Sequence, residues 1–213
     1  LAHLAEIQSL RALFIDFLPV GDAGIASFSR HPNILELGLA GTEITDGALT
    51  YLASIPKLKK LRIANTKVTG RGLRDLESHS AIRDIDLSGC QNLDEKVLVS
   101  VGNFSKLDKL NLYDTNVTDD GVKHLKAAVK LKWLNLDKTS ITDESLKSVA
   151  KLHRLEFLHL GTTQITDAGL NLLGDLKQLK DLIATQTAVT DRGVRKLQKQ
   201  IPEVKIKAGP KDG

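Results

Sequence analysis

Scarcity narrows the reading of this 213-residue chain first. It holds one cysteine, Cys90, so no intrachain disulfide can form. Small exported modules depend on such staples, so their absence favours a reducing compartment or a bacterial source. Methionine is missing even at position 1, so the natural start is expected to lie upstream of Leu1. Aromatic residues make up 4% against 41% hydrophobic, so a core must be built from Leu, Ile and Val. No apolar run approaches the roughly 18 residues of a membrane helix, and no membrane partner is expected. A basic stripe is lacking too. Residues 192–213 carry seven Lys or Arg against Glu203 and Asp212, leaving 23 basic and 24 acidic side chains elsewhere. The net +4 is a basic tail on a balanced body, and no nucleic-acid partner is expected.

What the chain has in abundance is repetition. The pattern L-x-x-L-x-L-x-x-T-x-I-T-D-x-x-L-x-x-L opens at Leu10, Ile34, Leu58, Ile82, Leu107, Leu131, Leu155 and Leu179. The step is 24 residues throughout, except for 25 between Ile82 and Leu107, where Gln91 and Asn92 precede Leu93. Such a period marks a stacked array in which each unit buries its core against its neighbours. Leu1, Leu4, Ile7 and Leu10 repeat the spacing of Leu49, Leu52, Ile55 and Leu58. Residues 1–9 therefore read as a partial repeat, 10–200 as eight repeats, and 201–213 as a cap strand and tail. Because the amino end opens inside a repeat, a longer natural chain or a partial cap is expected there. Pro202, Lys205 and Lys207 on the last strand would discourage edge-to-edge pairing.

Alternation in L-x-x-L-x-L predicts short strands with one buried face over 12–15, 36–39, 60–63, 84–87, 109–112, 133–136, 157–160, 181–184 and 203–206. The following I-T-D-x-x-L-x-x-L switches to three-residue spacing and predicts a helix. Thr or Asp before the apolar run, as at Thr142–Asp143 and Thr166–Asp167, predicts its cap. The recurring Asp46, Asp119, Asp143, Asp167 and Asp191 are read as caps, since the Gly-rich nonapeptides of calcium-binding solenoids do not occur. No metal site and no cofactor are expected.

Together these units resemble the leucine-rich-repeat family along essentially the whole chain. The endings ITDAGL (Ile165–Leu170) and VTDDGV (Val117–Val122), with LSGCQNLDEKVL (Leu87–Leu98), are similar to its cysteine-containing subclass, found in F-box-associated and bacterial repeat proteins. The resemblance implies an α/β solenoid, a horseshoe with a parallel concave sheet and convex helices. It also implies that Thr42, Thr66, Cys90, Thr115, Thr139, Thr163 and Thr187 replace the family's Asn or Cys ladder. Cys90 is then a ladder residue rather than a reactive thiol. A buried threonine hydroxyl can satisfy the same backbone groups.

Helices on one side leave the concave strand face open to a partner, so function is sought at template positions three, five and seven. Three consecutive repeats place Tyr113, Trp133, Phe157 and His159 there, with Lys109, Asn111, Asn135 and Asp137 around them. Strands about 4.8 Å apart would let these rings form one cluster, and aromatic anchors inside a polar rim are how binding hot spots are built. Trp133 should be accessible to solvent, whereas Leu134 should point inward.

Catalytic constellations are wanting: there is no Walker loop, dinucleotide fingerprint, H-E-x-x-H or G-x-S-x-G. His31 and His79 occupy an apolar slot held elsewhere by Ile55 and Leu176 and should be partly buried spacers. Asp137 and His159 could pair, but no nucleophile stands beside them. The expected function is a monomeric, non-catalytic module that binds a protein on its concave face. The alternative is the substrate-recognition or regulatory array of a larger enzyme assembly, such as an F-box-type ubiquitin-ligase adaptor.

Overall fold

The computed structural model describes residues 1–77, 79–94 and 96–209. Among these, nine parallel strands form one sheet in chain order. They are β1 (Ala12–Phe14), β2 (Glu36–Gly38), β3 (Lys60–Arg62), β4 (Asp84–Asp86), β5 (Lys109–Asn111), β6 (Trp133–Asn135), β7 (Phe157–His159), β8 (Asp181–Thr185) and β9 (Lys205–Gly209). Register follows the repeat: Lys109 pairs Trp133, Trp133 pairs Phe157, and Phe157 pairs Asp181. The 25-residue step leaves it intact, since Asp84 still pairs Lys109. The extra residue is taken up after Cys90, where Gln91 Nε2 donates to the Asp114 carbonyl at 2.6 Å and Asn116 Nδ2 donates to the Gln91 carbonyl at 2.6 Å.

Helices follow the strands: α1 (Ala2–Ala5), α2 (Asp22–Ala26), α3 (Asp46–Leu52), α4 (Gly70–Leu73), α5 (Lys96–Gly102), α6 (Asp119–Val122), α7 (Asp143–Val149), α8 (Asp167–Leu170) and α9 (Asp191–Gln200). Three of them, α4, α6 and α8, run on into 3₁₀ turns. The three-residue apolar spacing suits that tighter winding, in which side chains at i and i+3 eclipse. The central strand residues Leu13, Leu37, Leu61, Ile85, Leu110, Leu134, Leu158 and Leu182 are buried in one continuous core with the helical Leu, Ile and Val residues.

Two internal ladders hold the turns. Thr42, Thr66, Thr115, Thr139, Thr163 and Thr187 are buried, and each hydroxyl donates to the carbonyl three residues earlier at 2.6–2.7 Å. Cys90 takes the same slot but reaches across to the Ile63 carbonyl of the preceding repeat at 3.1 Å. Burial pushes its thiol up, which leaves it protonated and inert. His31 and His79 are more fully buried than expected, with Nε2 at 3.1 Å from the Ile7 carbonyl and 2.5 Å from the Ile55 carbonyl, respectively.

The second ladder differs from expectation. Thr45, Thr69, Thr142, Thr166 and Thr190 cap their helices by accepting the N–H two residues on. Asp46, Asp119, Asp143 and Asp167, read from the sequence as caps, instead accept both the N–H and the hydroxyl of the capping Thr one repeat later at 2.6–2.9 Å. A carboxylate at the first helical position points away from its own exposed N–H groups and toward the adjoining unit. The Asp is therefore an inter-repeat tie.

The last strand also departs from expectation. β9 begins at Lys205 rather than residue 203, so Pro202 precedes it. The 24-residue register sets Lys205 opposite Asp181, while Ile201 and Val204 bury themselves in the approach to the strand. Positions 210–213 of the expected tail lie outside the described residues.

Candidate functional site

Leucines occupy the inward position of each strand, so positions three and five turn to the face the helices leave uncovered. On that face the indole of Trp133 and the ring of Phe157 stack with centroids 4.9 Å apart and planes 5° from parallel. This is the spacing of neighbouring strands, so the sheet itself sets the ring separation. His159 stands edge-on to Phe157 at 6.5 Å and 80°. Lys109 Nζ lies 5.7 Å from the centroid of Trp133, so Phe157 and Lys109 share the indole. Trp133, Phe157 and His159 are half-buried.

Tyr113 does not join this cluster. It lies two residues beyond the end of β5, in the turn that follows, whereas Trp133 opens β6. Its ring instead faces Lys138 Nζ at 5.2 Å. Asn111 and Asn135 have structural duties as well. Their Oδ1 atoms accept the N–H of Tyr113 at 3.1 Å and of Asp137 at 2.9 Å, closing the turn that leaves each strand. Their amide N–H groups and one further lone pair on each Oδ1 remain for a ligand.

Chains similar to this one carry the same architecture. Internalin C2 of Listeria monocytogenes superposes with a TM-score of 0.73 at 20% identity, covering 93% of this chain and 80% of that one. The internalin InlF of the same organism gives 0.68 at 17% identity, covering 100% and 71%. The chain folds as a leucine-rich-repeat solenoid. Among curated proteins, the Caenorhabditis elegans "Putative RNA-binding protein EEED8.10" is 28% identical over 131 residues, 58% of this chain and 18% of that protein. The matched segment thus spans less than a fifth of that relative's length. No family model matches the sequence.

Beside the rings of the leucine-rich-repeat face lies the Asp137–His159 pair, at 3.7 Å between Oδ2 and Nε2. Burial lowers the His159 pKa, and the neighbouring Asp137 carboxylate works against that shift. The other carboxylate oxygen, Asp137 Oδ1, is buried without a hydrogen-bond partner among the described residues. Gly161 makes room for both groups, since a methyl there would stand 2.9 Å from Asp137 Oδ1 and 2.9 Å from His159 Nε2. The pair is a polar patch at the edge of the aromatic cluster.

A second feature went unseen in the sequence. At the amino ends of β2 to β6 runs a cleft of about 480 Å³, lined by Glu36, Lys60, Arg83, Asp108, Lys109 and Trp133 among others. Along it stand the template position-two residues just before each strand, Leu35, Lys59, Arg83, Asp108 and Lys132, with the position-three residues Glu36, Lys60, Asp84, Lys109 and Trp133. The run of Lys and Arg at position two was the available signal. Ion pairs tie neighbouring strands here, Glu36 with Lys60 at 2.8 Å and Arg83 with Asp108 at 3.3 Å, and Glu156 pairs with Lys180 at 2.6 Å beyond the cleft.

Proposed function

We propose that the open strand face is a non-catalytic protein-interaction surface that holds a polypeptide partner at Trp133 and Phe157. One observation carries the reading: two stacked rings stand half-exposed on a face that the core does not use. Lys109, Asn135, Asp137 and His159 surround them with directional polar groups, while Tyr113 and Asn111 mark the far edge of the footprint. A stable interface covers about 800 Å² per side, an area that several adjacent strands can supply.

RNA is the other class the relatives bring forward, since the Caenorhabditis elegans protein is named for it. Unpaired bases bind by stacking on open ring faces along a continuous basic groove. Both faces of Trp133 are taken, by Phe157 and Lys109, so its ring offers no open face on which a base could stack. A polypeptide fits that surface better. The same face would serve as the recognition array of a larger assembly, such as an F-box-type adaptor, a reading favoured by the small share of the longer relative that matches. A catalytic or F-box domain upstream in the full reading frame would support it.

The test is a proximity-labelling capture with the wild-type chain, followed by affinity measurement on each purified partner. Trp133→Ala should weaken a genuine face-binding partner by roughly 2 kcal/mol or more, about thirtyfold. Equal affinity for both forms would place the interface elsewhere.

A further inference from the structure

The rim cleft opens beside Trp133, and its chemistry is distinct from that of the ring pair. Its walls are mainly carbon: Leu35, the stems of Lys59, Lys60, Lys109 and Lys132, and the edge of Trp133. Long lysine side chains commonly lay their methylenes along such a surface and keep the ammonium in water. The volume of about 480 Å³ lies in the range of pockets that enclose a ligand group.

Its charges do not cancel. Five basic residues line it against three acidic ones, and each acid already has a counter-charge. Glu36 is held by Lys60 at 2.8 Å and Asp108 by Arg83 at 3.3 Å, while Asp84 pairs in register with Lys60 and Lys109. Lys59 has no ion-pair partner among the described residues, and Lys109 lies over the Trp133 ring and shares the Asp84 carboxylate with Lys60. Lys132 reaches Glu156 at 3.6 Å, but that carboxylate is already bound by Lys180 at 2.6 Å. The cleft thus keeps a surplus of positive charge around an apolar hollow: Lys59 is unpaired, and Lys109 and Lys132 share their carboxylates with Lys60 and Lys180.

Spacing gives the complementary pattern. Lys59 and Lys132 precede β3 and β6, three strand intervals or about 14 Å apart. An extended peptide rises about 3.4 Å per residue, so four residues cover that distance, and positions i, i+2 and i+4 project to one side.

We propose that the cleft takes an extended acidic peptide of the form acid-x-apolar-x-acid. The bulky apolar side chain enters the hollow against Leu35 and Trp133, and the flanking carboxylates meet Lys59 on one side and Lys109 and Lys132 on the other. This rests on the strand face being a polypeptide-binding surface, and it names the chemistry of the polypeptide.

A bead-bound library of random nonapeptides, probed with the whole chain, tests it. Enriched sequences should carry Asp or Glu two residues either side of Leu, Phe, Ile or Trp. Their affinity should fall about tenfold in Lys59→Glu/Lys109→Glu and should weaken as salt is raised. Enrichment of basic or uncharged peptides overturns the proposal, as does charge reversal without effect. If such peptides nonetheless lose affinity in Trp133→Ala, the strand-face reading survives without its acidic chemistry. If they are indifferent to Trp133→Ala as well, both readings fall. Absence of any enrichment over bare beads also overturns the acidic-peptide proposal, while the affinities of captured partners for Trp133→Ala judge the strand face separately.

Discussion

Trp133 and Leu134 are adjacent in the chain and belong to opposite sides of β6. The leucine is wholly buried, whereas the indole is half-buried and supported by Phe157 and Lys109. Truncating Leu134 to Ala removes core contacts and leaves a cavity, at a cost of about 2–5 kcal/mol. Truncating Trp133 to Ala forfeits mainly its stacking with Phe157, about 0.5–1.5 kcal/mol. Urea unfolding of both variants should show that order. A Trp133→Ala loss as large as that of Leu134→Ala would mean that the ring pair belongs to the core. The inward-outward alternation was legible in the sequence because a strand's period of two leaves no freedom once the leucines are placed. The company each ring keeps was less so. Tyr113 shares the face with Trp133, but displacement along the strand separates them, and a pattern read only across repeats does not record that dimension.

At the scale of one element, the tie between a helix start and the next repeat decides how the units stack. Asp119 accepts the N–H and hydroxyl of Thr142 at 2.9 and 2.7 Å, and also bonds the hydroxyl and N–H of Ser145. Burial pushes its carboxyl up, but the bonds from Ser145 and Thr142 outweigh that and hold it below its ordinary value. The Thr190 N–H and hydroxyl lower Asp167 likewise. An acid whose folded pKa is depressed binds fewer protons folded than unfolded. Its stabilisation is therefore full above the ordinary value of 3.8 and is lost as pH falls through the lowered one. Denaturation midpoints should drop between about pH 5 and about pH 2. Asp119→Asn should be less stable at neutral pH and lose less across that window. A variant with the wild-type acid slope would assign the sensitivity to other carboxylates. The ladder also explains the small residue of the T-D-x-G motif. A methyl at Gly169 or Gly193 would overlap the carboxylate of Asp143 or Asp167, and one at Gly72, in the variant T-G-R-G, would meet the Asp46 carboxylate at 2.5 Å. From sequence alone the glycine and the aspartate look like parts of one helix start. They belong to ties between different repeats, and only the stacking brings them together.

Across the whole molecule, each repeat contacts little beyond its neighbours, so stability is a sum of local and nearest-neighbour terms and need not be uniform. β5, β6 and β7 each have a paired strand and a packed helix on either side. β1 pairs with β2 alone, and its surroundings are the most apolar exposed part of the chain: Phe14 and Phe17 are 63% and 70% exposed, near Leu1, Leu4, Ile7 and Leu18. None of the α1 residues is buried. At the other end β9 has five residues in register with β8, and the ten-residue α9 covers the approach to it. The two ends of the described array are therefore unequal. Hydrogen exchange under native conditions should show amides near β1 and α1 opening first, those of β8 and α9 later, and those of β5 to β7 last. In this picture Leu134→Ala loosens the central repeats most and leaves exchange near β1 little changed. Uniform protection from β1 to β9, with every amide opening at one free energy, would instead require coupling well beyond the nearest neighbour. The aromatic pair lies on the repeats expected to open last, so a ligand there meets a preformed surface and does not have to order it.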